Sequence, residues 1–344
     1  MSATPPRLTA LAGGVGAARM LRGLVAVLGG EAVTAIVNTG DDTVLHGLYV
    51  SPDIDTVTYT LGGVGNPETG WGLSGETWAV MGALAGFEAA TGGASSRAGG
   101  GAGLTWFNLG DQDLATHLYR TGRMAAGASL SRVTAEVAAR FGVRSRILPM
   151  SDERVETRVT VDLGEAATPF GGPGVVEVGF QEYFVGLRHG APVTAVRFAG
   201  AEQALPAPGV VEALKEAEIL VICPSNPVVS IGPVLSVPAI AEAVANRRED
   251  VVAVSPIVAG KALKGPADRM LAELGFEASV VGVAEMWSPF ASVLVVDVAD
   301  SHLAAEVEAR GLRCAVAPSV MSGPVQAANL ARAVLAAGAA AAGF

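Results

Sequence analysis

Apolar and polar positions at the N-terminal end of the chain predict a βαβ unit. An apolar run at residues 7–12 is followed by a glycine-rich turn at 13–16, a helical apolar pattern over 17–28 and a second apolar run at 32–38. Strand, glycine turn, helix and strand in this order make the usual crossover of a parallel sheet. We therefore expect a ligand-accessible loop between the first strand and the helix.

The remaining apolar runs extend this pattern along the chain. Strands are predicted at 106–109, 144–148, 219–222, 251–254, 278–283 and 293–296, and helices from 51, at 76–90, from 113, from 131 and at 327–342. Residues 154–200 alternate Val and Thr and predict a β-rich segment. We predict an α/β fold, a Rossmann-like, doubly wound, mainly parallel sheet formed by 1–150 and 205–344, with a smaller inserted α+β subdomain at 151–204.

Composition and charge exclude several classes of function. The formal net charge is −10, which argues against a nucleic-acid partner because such partners require clustered Lys and Arg. The two cysteines lie far apart, so neither a disulfide framework nor a four-cysteine zinc site is possible. The first apolar run is broken by glycines, and the Ala-rich segment 327–342 is too weakly apolar for a membrane span. We expect a cytoplasmic protein with no membrane partner. Residues 91–103, rich in Gly, Ser and Ala, predict a surface loop.

The glycine turn is the first candidate site. Gly13, Gly14, Val15 and Gly16 follow a predicted strand and open a helix, where backbone N–H groups and the helix dipole bind phosphate. Arg19 lies one turn further along and can reach the same anion. The turn is not a Walker loop, since no Gly-Lys-Ser/Thr follows it. The alternative interpretation is a tight turn that needs glycine only for packing.

Four aspartates close to the glycine turn form the second candidate site. Asp41 and Asp42 end the second predicted strand, and Asp53 and Asp55 begin the next predicted helix. Adjacent carboxylates are costly unless they are solvated or bind metal, and Mg²⁺ is commonly held by one or two carboxylates together with phosphate oxygens. We therefore predict a Mg²⁺ site. The alternatives are compensation of the helix dipole by Asp53 and an ordinary turn at Asp41 and Asp42.

Other polar residues follow predicted strands and are candidates for ligand contacts. Prolines fix the backbone of residues 224–233, while the polar side chains between them remain free to face a ligand. The candidates from these positions are Asn38, Thr39, Ser225, Asn226, Ser230 and Lys264. No Gly-x-Ser-x-Gly turn occurs and the histidines are scattered. These features favour metal-assisted phosphoryl transfer without a covalent enzyme intermediate.

Nine ordered segments together resemble the 2-phospho-L-lactate transferase family of coenzyme F-420 biosynthesis, including its phosphoenolpyruvate transferase members. The segments are residues 11–16, 37–42, 51–61, 70–72, 109–111, 148–152, 180–185 and 224–233, and 255–257 with 264–266. The resemblance implies a phospholactyl or phosphoenolpyruvyl group moving from a guanosine diphosphate-linked donor to the ribityl hydroxyl of 7,8-didemethyl-8-hydroxy-5-deazariboflavin. It also implies release of GMP, a requirement for Mg²⁺ and a homodimer.

The resemblance also implies roles for individual residues. The glycine turn would hold the donor phosphates, and Asp41 and Asp55 are the first choices for Mg²⁺, ahead of Asp42 and Asp53. Either Asp41 or Asp55 could accept the proton of the attacking hydroxyl. The guanosine nucleotide would contact Ser225, Asn226 and Ser230, and the deazaflavin would lie near Trp71 and Asp111.

The same sequence allows two other functions, and it leaves the identity of the donated acid open. A nicotinamide-dependent oxidoreductase uses the same βαβ unit but needs an acid at the end of the second strand, near the place where Asn38 stands. A non-catalytic nucleotide sensor would bind GDP without turnover. Among transferases, the sequence leaves phospholactate, phosphoenolpyruvate and 3-phosphoglycerate open as the donated acid.

Overall fold

The structure of the protein is a computed structural model that describes residues 6–90 and 103–341. The surface loop predicted at 91–103 lies outside these residues except for its last position. The strands are β1 (Leu8–Ala12), β2 (Val33–Val37), β3 (Thr43–Leu45), β4 (Leu48–Val50), β5 (Arg146–Pro149), β6 (Glu156–Asp162), β7 (Val175–Gly179), β8 (Val193–Ala199), β9 (Ile219–Ile222), β10 (Val251–Val254), β11 (Ile257–Val258), β12 (Lys261–Ala262), β13 (Val293–Val296) and β14 (Arg313–Val316).

Helices alternate with most of these strands. Several begin at residues that favour a helix N-terminus. Helix α2 has Pro at its first position and acids in its first turn, which suits the positive end of the helix dipole. The helices are α1 (Gly14–Leu28), α2 (Pro52–Leu61), α3 (Ala79–Ala90), α4 (Asp111–Ala125), α5 (Leu130–Arg140), α6 (Val210–Glu216), α7 (Gly232–Leu235), α8 (Pro238–Ala245), α9 (Ala267–Glu273), α10 (Val280–Trp287), α11 (Ala304–Glu308) and α12 (Pro324–Ala341).

Seven parallel strands form the central sheet in the order β14-β13-β10-β9-β1-β2-β5. The order runs outward from β1 in one direction and from β9 in the other, so β1 and β9 flank the point where the winding reverses. The predicted Rossmann-like, doubly wound fold is confirmed. Crevices at such a reversal are where open α/β sheets bind their ligands, at the carboxyl ends of the strands.

The core lies on both faces of the central sheet. Leu11 and Ile36 belong to one buried cluster, whereas Ala12 and Val37, their neighbours along the same strands, belong to the other. Successive side chains of a strand point to opposite faces, so helices on both sides must cover strands made of Val, Ile, Leu and Ala. This explains why the strands read as continuous apolar runs.

A second, three-stranded antiparallel sheet follows β5 in the chain, in the order β7-β6-β8. Val159 and Val161 of β6 are fully buried, while Thr160 between them is partly exposed. The alternation of Val and Thr in residues 154–200 therefore does form strands with one buried face.

Two strand predictions were wrong. The apolar run at 278–283 forms the start of helix α10, because the Ser279 hydroxyl accepts hydrogen bonds from the backbone N–H groups of Val281 and Gly282 and caps the helix. Residues 106–109 form turns and irregular backbone, and Trp106 packs edge-on against Phe170 with a centroid distance of 5.2 Å. A short apolar run cannot distinguish a buried helix from a buried strand by period alone.

Within the described ranges, no single helix is both long and apolar enough to cross a membrane. One bent pair, Pro227–Leu235 with Pro238–Ala245, meets the criterion by length and composition, with a 94° bend between its parts. Val234, Ile240 and Val244 of this pair are buried in the core.

Helix α1 packs closely on α12, and this contact gives a test of the fold. A Cβ at Gly23 would overlap the carbonyl oxygen of Ala327, so we expect Gly23→Ala to destabilise the protein by about 1–3 kcal/mol through overpacking. Gly122, exposed in helix α4, has nothing within 4 Å of such a Cβ. The control Gly122→Ala should stabilise by about 0.5–1 kcal/mol through helix propensity. Urea unfolding measures the free energy of unfolding of both variants. Changes of the same sign in the two variants would contradict the close packing of α1 on α12.

Candidate functional site

A cavity of about 880 Å³ opens at the reversal point of the central sheet. The glycine turn after β1 and the loop after β9 form its floor, and the first turn of α2 contributes further residues. The segment after β7 and the segment before α4 also contribute side chains, among them Phe180, Gln181, Phe107 and Asn108. The cavity thus joins segments that lie far apart in the sequence.

The glycine turn meets a carboxylate of its own chain. Gly13 is extended, and Gly14 has φ +69°, a left-handed conformation that L side chains rarely adopt. A Cβ at Gly13 would lie 2.8 Å from Asp53 Oδ2, and the backbone N–H of Gly14 hydrogen bonds to Asp53. At Gly16 a Cβ would overlap the carbonyl oxygen of Pro224. The turn therefore needs glycine for packing, and its residues line the cavity.

Asn38 bridges two carboxylates beside this turn. Its Nδ2 donates to Asp41 Oδ1 at 3.2 Å and to Asp53 Oδ2 at 3.0 Å, and its Oδ1 accepts from the backbone N–H of Gly40 at 2.7 Å. Gln181 Nε2 lies 3.3 Å from Asp41 Oδ2. Asn38 was predicted to contact a ligand, whereas the structure shows its amide oriented towards the two acids. Both acids line the cavity.

Burial makes these two acids reluctant to ionise. It raises the pKa of Asp41 well above its ordinary value, and the nearby charges of Asp53 and Asp42 add to the effect. Burial also raises the pKa of Asp53 to about 6, although hydrogen bonds from Asn38 and Gly14 oppose the rise. Within the described part of the chain, neither acid has a cationic ion-pair partner within 4.0 Å. A cation between them would relieve both the burial cost and the repulsion.

Asp42 points elsewhere. Its Oδ2 accepts from the Ser51 hydroxyl at 2.8 Å, and its buried Oδ1 has no hydrogen-bond partner. Ser51 precedes helix α2, and its hydroxyl makes no side-chain cap there. Burial raises the pKa of Asp42 to about 8, against the lowering effects of Ser51 and Arg120. Asp42 is not among the residues that line the cavity.

Asp55 lines the cavity but is already ion-paired. Both of its oxygens contact the buried guanidinium of Arg120, one of them at 3.0 Å. The sequence prediction ranked Asp55 with Asp41 as a metal ligand, whereas the structure pairs Asp41 with Asp53 and Asp55 with Arg120. A carboxylate with a bidentate arginine partner is a poorer cation ligand than an unpaired one.

The residues predicted to bind the nucleotide lie at the cavity in the loop after β9. Ser225 Oγ donates to the carbonyl oxygen of Gly13 at 2.7 Å, and Ser230 packs beside the same glycine. Asn226 Oδ1 accepts from the N–H groups of Val228 and Val229, which fixes the turn that follows. These contacts join the two loops that flank the reversal point.

The other predicted ligand contacts divide into two groups. Arg19, Lys264 and Trp71 line the cavity, and Lys264 Nζ donates to the carbonyl oxygen of Thr69. Burial and the neighbouring Arg19 lower the pKa of Lys264. Asp111 and Thr39 do not line the cavity. Asp111 instead accepts from the backbone N–H groups that begin helix α3, at 2.9 and 3.1 Å, and Thr39 is buried with its hydroxyl unpartnered.

Aromatic residues and a buried histidine at the cavity had no predicted role. Phe180 and Phe184 stack with centroids 5.4 Å apart, one helical turn apart in sequence. His117 and Arg120 lie on helix α4 with Asp113, at spacings of four and three residues. The signal for this group in the sequence is an acid, a histidine and an arginine at helical spacing on one predicted helix.

Comparison with known proteins identifies the family. The family described as 2-phospho-L-lactate transferase CofD matches residues 8–316. This chain belongs to that family. It is therefore a transferase of coenzyme F-420 biosynthesis, and the resemblance seen in the sequence is confirmed.

Several curated relatives are named phosphoenolpyruvate transferase. One from Kitasatospora aureofaciens is 45% identical over 334 residues, covering 96% of this chain and 97% of that protein. Relatives from Streptomyces coelicolor and Mycolicibacterium smegmatis are 44% and 38% identical, each covering 96% of this chain and 97% and 98% of the respective relative. A crystal structure of a UPF0052-family protein from Bacillus halodurans has a TM-score of 0.54 at 17% identity, covering 96% of this chain and 99% of that one. That likeness shows the fold alone.

The buried Asp42 gives a pH-dependent test of the site. Its pKa is about 8 in the folded protein against an ordinary 3.8, so the folded state binds this proton more tightly than the unfolded chain between those values. The Asp42 contribution to stability is therefore lost as the pH rises through this window. From pH 5 to pH 8 we expect the stability of Asp42→Asn to increase by about 3–4 kcal/mol relative to that of the unsubstituted protein, measured by urea unfolding in EDTA. The substitution Glu202→Gln, at an exposed position, serves as control. If the free energy of unfolding of Asp42→Asn changed with pH in parallel with that of the unsubstituted protein, the raised pKa of Asp42 would be contradicted.

Proposed function

We propose that this protein transfers a phosphoenolpyruvyl group from a guanosine diphosphate-linked donor to the primary ribityl hydroxyl of 7,8-didemethyl-8-hydroxy-5-deazariboflavin, releasing GMP. The observation that carries the proposal is the cavity at the reversal point, where backbone donors of the glycine turn adjoin the buried Asp41 and Asp53. The names of the relatives favour phosphoenolpyruvate over phospholactate. Phospholactate and 3-phosphoglycerate are the alternatives that the test compares.

Mg²⁺ fits the pair of acids that faces the cavity. Carboxylate oxygens with neighbouring phosphate are the ligands that Mg²⁺ prefers, and Asp41 and Asp53 meet at one amide without a cationic partner in the described residues. Asp41 and Asp53 would hold the ion, and Asp42 and Asp55 would not, because they face Ser51 and Arg120. When bound, Mg²⁺ neutralises charge on the phosphate oxygens.

The chemistry requires mainly positioning. The acceptor oxygen forms a bond to the phosphorus that carries the enolpyruvate, the bond from that phosphorus to the bridging oxygen breaks, and the electron pair leaves with GMP. The N-terminus of α1 and the glycine turn would bind the diphosphate, with Arg19 and Lys264 supplying positive charge in a chain whose net charge is −10. Asp41 and Asp55 are our candidates for the group that accepts the hydroxyl proton.

The acceptor would occupy the aromatic side of the cavity. Trp71, Phe180 and Phe184 offer flat faces for a deazaflavin ring, and Trp71 is half-exposed there. Stacking on aromatic rings suits a planar tricyclic ligand. The ribityl chain could then extend towards the acids at the floor of the cavity.

We further propose that the enzyme acts as a homodimer in the cytoplasm. Both cysteines are free, which suits a reducing compartment. Two exposed apolar side chains at the start of helix α3, Trp78 and Val80, support a dimer. Exposed apolar surface of this kind is common at interfaces between protein chains.

The identity of the product tests the proposed reaction. We expect the protein, mixed with the deazaflavin, Mg²⁺ and each guanosine-linked donor in turn, to form the phosphoenolpyruvyl deazaflavin fastest and to release one GMP for each product. Mass spectrometry of the deazaflavin and chromatography of the nucleotide measure both. Absence of product with all three donors would refute the proposal, and faster reaction with another donor would correct the donated acid.

Cation binding tests the roles of the two cavity acids. We expect Asp41→Asn and Asp53→Asn each to weaken Mn²⁺ binding at least about tenfold in calorimetric titration, because each removes one charged ligand. Glu68→Gln, which removes one charge from the wall of the same cavity, should change the affinity less than about threefold.

The same titration should depend on pH. Protonation of Asp53, whose pKa burial raises to about 6, competes with the cation, so affinity should rise as the pH increases from 5.5 to 7.5. Affinity that is constant across this range and insensitive to Asp53→Asn would place the cation elsewhere.

A further inference from the structure

Arg120 is a buried charged residue to which the proposed reaction assigns no role. It is completely buried on helix α4, where its guanidinium lies behind the Asp55 side chain that faces the cavity. Its Nη1 donates to Asp55 Oδ2 at 3.0 Å, and Nη2 contacts the other oxygen. Burying a guanidinium costs several kcal/mol, which only good geometry with a carboxylate offsets. A bidentate contact provides that geometry.

His117 extends this contact into a chain of buried polar groups. Arginine has only N–H donors, so the 3.3 Å contact makes His117 Nδ1 the acceptor and leaves the proton on Nε2. Nε2 is 3.5 Å from Asp113 Oδ2, and Asp113 Oδ1 accepts from the Tyr59 hydroxyl at 2.5 Å. His117 Nε2 has no hydrogen-bond partner among the described residues, so helix α4 supports Asp55 through Arg120 and through the placement of His117 and Asp113 on the same helical face.

Helix α2 places its two acids in different surroundings. Asp53 faces Asn38 and the glycine turn, whereas Asp55, two residues later, faces Arg120 and His117. Both acids line the same cavity. The positive charge beside Asp55 disfavours a second cation there, although Asp55, Asp113 and His117 bring ligand atoms within 4.8 Å of one another.

We propose that Arg120, supported by His117 and Asp113, is a positioning residue that fixes Asp55 as a hydrogen-bond acceptor for the attacking hydroxyl and keeps Asp55 out of the cation site. This rests on the proposed function. A carboxylate has about four lone-pair sites, and Arg120 occupies two, so Asp55 retains acceptor capacity towards the cavity. Held in one orientation, Asp55 aligns the hydroxyl of the acceptor in preference to water.

The decisive measurement is how the donor is divided between transfer and hydrolysis. Water attacking the same phosphorus releases GMP without a deazaflavin product, so loss of hydroxyl alignment raises the ratio of hydrolysis to transfer. For Arg120→Met we expect transfer kcat to fall about 10²-fold, the donor KM to change less than about threefold and this ratio to rise at least about tenfold. Arg120→Lys keeps the charge without the bidentate fork and should show an intermediate ratio.

Controls separate positioning from a structural role. Arg123→Met removes an ion-paired arginine from the same helix, outside the cavity lining, and should leave the ratio unchanged. In Arg120→Met the Mn²⁺ affinity of the Asp41 and Asp53 site should stay within about threefold of the unsubstituted protein, which also shows that the site is folded, and a second Mn²⁺ should bind at the freed Asp55 with Asp113 and His117. If both Arg120 variants unfold, Asp55→Asn tests the role of Asp55 instead. We expect this variant to retain Mn²⁺ binding and to have a raised ratio of hydrolysis to transfer.

Two results would overturn the inference. An unchanged ratio in folded Arg120→Met would show that Arg120 does not align the acceptor. A loss of Mn²⁺ affinity above about tenfold in Arg120→Met or Asp55→Asn would show that Asp55 serves the cation, for example with Asp113 and His117. Absence of transfer by the unsubstituted protein with every donor would instead refute the proposed function, and the Mn²⁺ titrations would still decide whether Asp55 belongs to the cation site.

Discussion

The Asn38 side-chain amide joins two buried carboxylates at the point where the order of the central strands reverses, and the site is arranged around that contact. Asp41 comes from the end of β2 and Asp53 from the first turn of α2, so the amide fixes the strand end against the helix. The glycine turn can approach Asp53 because residue 13 lacks a side chain, and Gly14 is required by its φ of +69°. Two like charges held this close in a buried place create the demand for a cation.

The four aspartates of this region have different environments, and the differences assign different roles. Asp42 faces a serine hydroxyl away from the cavity, Asp55 faces a buried arginine, and Asp41 and Asp53 face the cavity together. The two cavity aspartates that have no cationic partner among the described residues therefore lie together at one place. The same cavity carries Arg19 and Lys264, so an anionic donor meets local positive charge despite the acidic chain.

The sequence predicted the fold more completely than the site. Strands covered on both faces appear as continuous apolar runs, and β9 and β10 were predicted with their observed bounds. The strand prediction at 278–283 was wrong because a fully buried helix shows the same apolar pattern as a buried strand. Only the Ser279 cap distinguishes the helix from the strand. The resemblance supplied the candidate residues, but it could not show that Asn38 bridges acids or that Asp55 pairs with Arg120. Those contacts depend on where separate segments meet, which local pattern does not determine.

The position of a bound cation distinguishes the roles of the four aspartates. Crystals of the protein grown with Mn²⁺ and a guanosine diphosphate-linked donor would show the ion by its anomalous scattering. We expect one anomalous peak between Asp41 and Asp53, in contact with the donor phosphates and away from Arg120. A peak between Asp55, Asp113 and His117 would contradict this expectation.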